Sequence, residues 1–179
     1  TSILILMCLL FLSSQVPLAR AQEASPTSSP TPTPIEYTLP YPGMLPGHPF
    51  YFLKAARDNV MAFLISHPLK KAEFNLLQAD KTLQASILLS NEQKTDEAFV
   101  TLTKAEKYFE EAVNKTTEAK KQGIHTQDFV KRLSLAHLKH QEVIATMEKK
   151  APKEYKEKFK KERERIKQFE KKIKALQPK

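Results

Sequence analysis

Apolar residues repeat at helical spacing through almost the whole chain after residue 49, and no window alternates polar and apolar residues as a surface strand does. Residues three or four positions apart share one face of an α-helix, so this repeat constrains the fold more than any other feature. It predicts helices over about 49–66, 68–90, 94–121, 127–149 and 152–176. Because the connections are short, neighbouring helices should run antiparallel. We therefore expect an all-α fold: an antiparallel up-and-down bundle of about four helices, built from the first four, plus a long basic carboxy-terminal helix.

Ahead of the helices, the chain has the layout of an exported protein. The apolar run Ile3–Leu12 is too short for a membrane span, which needs roughly 20 residues, and Ala19-Arg-Ala21 follows it as a cleavage pattern. A cleaved signal peptide is the prediction, and an uncleaved amino-terminal anchor is the alternative. The next segment, rich in Ser, Thr and Pro, predicts an extended spacer or a disordered mature terminus. The predicted layout is a signal peptide at 1–21, a linker at 22–36, a helical-bundle domain at 37–149 and a basic helix at 150–179.

The composition excludes several kinds of reaction centre. The chain has only three glycines, whereas phosphate-binding loops need several glycines for the backbone to approach the ligand. Its single cysteine, Cys8, lies inside the predicted signal peptide, so the mature chain would hold no disulfide and no cysteine nucleophile. A G-x-S-x-G elbow is also absent from the sequence. We therefore predict a protein without enzymatic activity or cofactor, secreted or held at the cell envelope.

Five aromatic residues surround the start of the first helix, next to a Pro42-Gly43 pair that fits a type II turn. They are Tyr37, Tyr41, Phe50, Tyr51 and Phe52. We expect these rings to close one end of the helical core, because aromatic side chains supply much of the apolar burial in a small domain. An exposed aromatic platform for a glycan or a peptide is the alternative.

The same stretch resembles a bacterial family of extracytoplasmic helical domains of unknown function. The matching residues are Tyr41-Pro-Gly-Met-Leu-Pro-Gly-His-Pro-Phe-Tyr-Phe-Leu-Lys54, Arg57-Asp58, Pro68-Leu-Lys-Lys-Ala-Glu-Phe74, Ala79-Asp-Lys81 and Lys104-Ala-Glu-Lys-Tyr108. The resemblance covers about residues 37–112. It implies a helical domain that is secreted or held at the cell surface, and it implies no activity and no catalytic residue.

The carboxy-terminal helix holds the charge excess of the chain. Residues 149–179 carry 14 Lys and Arg against five Asp and Glu, which accounts for the whole net charge of +9. Its apolar residues step by four and three from Tyr155 to Leu176, as in a heptad seam with one polar break at Glu162. This seam fits a stripe packed on the bundle or a coiled coil with a partner helix or a second copy. The charged surface fits an anionic envelope polymer or lipid, and we do not expect specific nucleic-acid recognition. The candidate binding residues are Lys156, Lys160, Lys161, Arg163, Arg165, Lys167, Lys171, Lys172 and Lys174.

Two smaller constellations add candidates inside the bundle. His137 and His140 lie three positions apart on one helix, a spacing at which two imidazoles can share a metal ion, although His140 also fits a hydrogen-bonded core histidine. Arg57 and Asp80 lie on the apolar sides of the first two helices, and we predict an ion pair between them that fixes the helix register.

The sequence therefore supports two functional hypotheses. The first is a non-enzymatic scaffold or binding protein of the cell envelope that contacts a partner or a polyanion through the carboxy-terminal helix. Deleting residues 152–179 should then abolish polyanion binding and leave the bundle folded. The alternative is a periplasmic metal or stress sensor, or a chaperone-like protein, that uses His137 and His140. If the apolar amino-terminal segment is retained, it would also anchor the protein in a membrane.

Overall fold

The computed structural model of the chain describes residues 36–177, which contain helices and no strand. The helices are α1 (Tyr51–Leu64), α2 (Pro68–Asn91), α3 (Thr95–Lys121), α4 (Gln127–Lys150) and α5 (Lys156–Leu176), and one 3-10 turn, Lys153–Tyr155, precedes α5. The predicted all-α bundle is confirmed. The predicted signal peptide and all but the last residue of the predicted linker lie outside the described residues.

Local chemistry explains where the helices begin and end. Pro68 is the first residue of α2, where its missing N–H group costs nothing, and the backbone N–H of Lys70 donates to the His67 ring at 3.4 Å. α3 ends at Lys121, and Gly123, two residues later, has the positive φ of 76° that is typical after the last turn of a helix. The N–H of Ile124 then donates to the carbonyl of Ala119 at 3.0 Å. Both connections are therefore tight reversals.

α2 and α3 form a closely packed antiparallel pair. Small residues recur at every seventh position on both helices, and each of them is at most 2% exposed. They are Ala72, Ala79 and Ser86 on α2, and Ala98, Ala105, Ala112 and Ala119 on α3. The separation of two packed helices depends on the side chains at their contact, so these small stripes account for the close approach.

The α4–α5 pair packs beside the α2–α3 pair, so that α3 lies next to α5 and α2 lies next to α4. In each of these two contacts the helices run in the same direction. The Tyr155 hydroxyl donates to Asp96 near the start of α5 and α3, and Lys120 Nζ donates to the Leu176 carbonyl oxygen at 2.7 Å near their ends. These contacts make α3 and α5 parallel neighbours. α2 and α4 are likewise parallel, while helices that follow each other in sequence reverse direction. The antiparallel arrangement therefore holds along the chain and not between every pair of adjacent helices.

α5 is one wall of this bundle. Its predicted seam faces the core, and every member is at most 8% exposed. The seam residues are Tyr155, Phe159, Glu162, Ile166, Phe169, Ile173 and Leu176. The four bundle helices are thus α2 to α5, and the expectation that the first four helices build the bundle is wrong.

α1 lies outside the bundle and points most of its apolar side chains away from it. Phe52 and Phe63 are 63% and 85% exposed, and Tyr41 and Phe50 are exposed as well. Tyr37, in contrast, packs against the core. The prediction that this aromatic group closes the core is therefore wrong for Tyr41, Phe50 and Phe52.

Among residues 36–177, no helix is both long enough and apolar enough to cross a membrane.

Candidate functional site

A groove between α2 and α4 contains two cavities of the described surface. Residues 36–42, which we call the strap, enter this groove, where Tyr37 and Leu39 pack against the core. Tyr37 lines both cavities of the groove. One, of about 740 Å³, also contains Lys70, Asp80 and Arg132. The other, of about 420 Å³, lies against Leu39 and the carboxy-terminal halves of α2 and α4.

Beneath Tyr37, a chain of polar contacts crosses the bundle. The Tyr37 hydroxyl donates to Asp80 Oδ2 at 2.6 Å. Asp80 Oδ1 lies 3.4 Å from His140 Nε2, and His140 Nδ1 lies 2.8 Å from Glu106 Oε1. We call these four residues the buried charge cluster. It connects the strap to α2, α4 and α3 near the middle of each helix. The contact between His140 and Glu106 therefore links α4 with α3 across the core.

The electrostatics of the cluster favour a charged histidine. Burial by itself would lower the pKa of His140, which has no exposed surface. The attraction and hydrogen bonds of Glu106 and Asp80 outweigh this effect and raise the pKa to about 9. His140 is therefore an imidazolium at neutral pH and donates from both ring nitrogens. One cation is thus shared by two carboxylates.

The geometry suits a structural role for the cluster. His140 and Glu106 are both fully buried, so neither reaches a molecule in the groove while Tyr37 is in place. Burial, followed by the hydrogen bond to Asp80 and the charge of that carboxylate, raises the pKa of Tyr37 far above its ordinary value. The hydroxyl therefore remains a donor, and Tyr37 and Asp80 are the two members of the cluster that line the groove. His140 matches the hydrogen-bonded core histidine expected from its position on the apolar stripe.

The metal hypothesis receives no support from these contacts. His140 binds two carboxylates, whereas His137 packs against the ring of Phe109 at 6.2 Å between centroids. Neither ring nitrogen of His137 has a hydrogen-bond partner among the described residues. Burial lowers its pKa and keeps it neutral, despite the opposing charge of Glu170. No group of three His, Cys, Asp or Glu residues within 36–177 is arranged to hold a metal ion.

The nine candidate cations of α5 divide into two groups. Three of them hold α5 to its neighbours: Arg163 lies 3.1 Å from Glu148, Arg165 lies 2.7 Å from Glu110, and Lys172 donates to Asn114 at 3.4 Å. The other six are exposed and point away from the core: Lys156, Lys160, Lys161, Lys167, Lys171 and Lys174. We call these six the outer lysines.

The predicted Arg57–Asp80 ion pair does not form in this structure. Arg57 is exposed and binds its neighbour Asp58 at 2.7 Å, while Asp80 is buried among Tyr37 and His140. The prediction placed both residues on facing apolar stripes, but α1 turns that stripe to solvent. The apolar stripe of α2 was the only sequence signal that Asp80 is buried. The partners of Asp80 are Tyr37 and His140, and His140 in turn contacts Glu106. These residues come from distant segments, so no rule of local spacing could connect them.

Comparison with known proteins identifies a family for this chain but no activity. A family model described as "Domain of unknown function (DUF5667)" matches residues 43–175, a range that contains α1 to α4 and all of α5 except its last residue. No curated protein and no solved structure matches the chain. The resemblance to a helical family of unknown function is thereby confirmed.

Proposed function

The chain belongs to the family described as domain of unknown function DUF5667, and we propose that it is a non-enzymatic binding protein of the cell envelope that contacts an anionic polymer. The contact surface is the outer side of α5. The location outside the cytoplasm rests on the apolar run and cleavage pattern at the start of the sequence.

One observation carries this proposal: the outer lysines are separated from the part of α5 that the fold uses. The seam residues lie in the core, and Arg163, Arg165 and Lys172 hold the helix to α3 and α4. The outer lysines take no part in those contacts. Those with an acidic partner, such as Lys167 with Glu164 at 2.9 Å, pair within α5 itself. Such exposed pairs contribute little to stability, so the cations remain available to a ligand.

The buried seam also narrows the choice of partner. A coiled coil with another helix would need the same seam residues that already pack on the bundle. A flexible polyanion needs only exposed positive charge, because the release of its counterions drives binding. The observations therefore favour a polymer such as polyphosphate over a partner helix or a second copy docked on α5.

Substitution, not deletion, is the appropriate test. Deleting residues 152–179 would remove one wall of the core, so the expectation that the bundle survives this deletion no longer holds. We compare a variant with Lys160, Lys167 and Lys171 changed to Gln against a control with Lys107, Lys121 and Lys131 changed to Gln. All six lysines are exposed, and both variants lose the same net charge.

Fluorescence anisotropy with end-labelled polyphosphate would measure the dissociation constant at several salt concentrations. The α5 variant should bind more weakly and show a slope of log K against log salt that is smaller by roughly 0.7 for each lost contact. The control should retain most of the wild-type affinity. An equal loss in both variants would reject the α5 surface and leave only a general charge effect.

A further inference from the structure

The larger cavity of the groove, of about 740 Å³, has an apolar wall that is open to solvent. Ile65, which follows α1, and Phe74 and Leu77 on α2 belong to this wall. None of these three side chains is fully buried, so apolar surface inside the cavity is in contact with water. The volume lies within the range of small-molecule sites, roughly 300–1,000 Å³, and a ligand with an apolar body would release that water.

The charged residues of the cavity leave one positive charge without a partner. Four Lys, Arg, Asp and Glu side chains line it. Lys70 Nζ lies 3.0 Å from Glu73 Oε2, and Asp80 Oδ1 lies 3.4 Å from Nε2 of the charged His140 ring. Arg132, in contrast, forms no ion pair with another residue in 36–177. The cavity therefore offers one cation to a ligand.

Arg132 is held in a position that suits an anion. Its guanidinium carbon lies 5.0 Å from the centroid of the Phe129 ring, one turn earlier on α4, in a cation–π contact. Its charge also reaches the Tyr37 hydroxyl in the cavity wall: burial and Asp80 raise the pKa of Tyr37, and Arg132 opposes them. A guanidinium beside an aromatic ring keeps in-plane N–H groups that can bind both oxygens of a carboxylate.

We propose that this cavity binds a small organic acid with a single carboxylate and an apolar body. The carboxylate pairs with Arg132, and the body packs on Phe74 and Leu77. A single negative charge fits best, because Glu73 and Asp80 also line the cavity and repel an anion of higher charge, such as a phosphate ester. Tyr37 stays in place as part of the wall. The site is independent of the outer lysines of α5, which lie on another helix.

Isothermal titration calorimetry on the full chain would test the ligand class with three probes that share one tail: decanoate, decanol and decylamine. Decanoate should bind to one site per chain and more tightly than the other two, because it alone combines the tail with a partner for Arg132. A second acid, 4-phenylbutyrate, would show whether the cavity prefers an aromatic body to an aliphatic one.

Two substitutions separate the charge from the apolar wall, each with a matched control on α4. Arg132→Gln should weaken decanoate binding about tenfold and leave decanol unchanged, whereas Lys131→Gln removes the same charge outside the cavity and should have little effect. Leu77→Ala should weaken both probes about fivefold. Leu135→Ala should not, although Leu135 is 46% exposed and Leu77 is 43% exposed. Circular dichroism would confirm that each variant is folded.

Three results would overturn the inference. Equal losses in Arg132→Gln and Lys131→Gln would leave only a general charge effect. Equal affinity of the wild-type protein for decanoate and decanol would remove the anion site. The apolar side chains of α1 are also exposed, so a loss in Phe63→Ala as large as that in Leu77→Ala would place the ligand on α1 and not in the cavity.

Discussion

Replacing His140 by leucine tests the buried charge cluster most directly. The substitution keeps a side chain of similar size on α4 and removes the cation between Glu106 and Asp80. Glu106 would then be a fully buried carboxylate without a positive partner. Breaking a buried ion pair in this way typically costs about 3–5 kcal/mol at neutral pH.

The pKa of His140 gives an independent value for the energy with which the two carboxylates stabilise the charged ring. A rise from 6.5 to about 9 corresponds to roughly 3 kcal/mol, at about 1.4 kcal/mol for each unit. Because the folded pKa lies above the unfolded value, this stabilisation is fully present below about pH 6.5 and is lost as the pH rises through about 9. The wild-type protein should therefore lose stability across this range, and His140→Leu should lack that part of the slope.

Urea unfolding followed by circular dichroism at intervals from pH 6 to pH 10 would measure both effects. The free energy difference between wild type and His140→Leu should be greatest near pH 6.5 and should narrow towards pH 10. The double variant His140→Leu with Glu106→Leu should recover much of the lost stability, since an apolar pair leaves less charge buried.

His137→Leu is the matched control on the same helix. His137 is a buried imidazole without a hydrogen-bond partner among the described residues, so its loss should leave stability at pH 7 unchanged or increased. Its pKa is lowered by burial, so it destabilises the fold only as the pH falls below about 6.5. A wild-type profile that is flat between pH 6.5 and 9, or a slope that persists in His140→Leu, would refute the assignment of the charge to His140.

Other substitutions test the packing, each by urea unfolding. Ala105→Leu should cost about 3 kcal/mol because α2 and α3 would be forced apart, whereas Ala175→Leu on the exposed side of α5 should change little; equal effects would contradict the small-residue explanation. Glu162→Leu should stabilise the protein by about 1 kcal/mol at pH 7, because burial raises the pKa of this carboxyl despite Arg165, and a loss of stability would contradict this. Tyr37→Phe should cost about 2 kcal/mol by removing the hydrogen bond to a buried carboxylate. Arg57→Ala should lower the free energy of unfolding by less than about 0.5 kcal/mol, because Arg57 is exposed. A larger loss would show that this residue makes an ion pair that stabilises the fold.

Sequence periodicity identified the helices but not the partner of each apolar stripe. Leu53, Val60 and Leu64 recur at helical spacing, and α1 does form there, yet the stripe faces solvent. Hydrophobic spacing reports that a helix has an apolar side and carries no information about what covers that side. On α5 the seam was recognised and packing on the bundle was one of its two interpretations, but the spacing alone did not distinguish this packing from a coiled coil.

The candidate sites were predictable to different extents. The position of His140 on an apolar stripe was enough to expect a hydrogen-bonded core histidine. Its partners were not predictable, because Asp80 and Glu106 lie 60 and 34 residues away and meet it only through the arrangement of the helices. The exposed position of the outer lysines followed from the heptad seam, since residues between the seam positions point away from it.

The strap has a mechanical consequence. Tyr37 lies near the amino-terminal end of the described chain, and its hydroxyl is fixed to Asp80 midway along α2. A force applied to the chain ahead of Tyr37 would therefore reach the middle of the bundle before it reaches α1. The hydrogen bond between Tyr37 and Asp80 would bear this force early, so its rupture would open the polar interior to water at the Asp80 carboxylate.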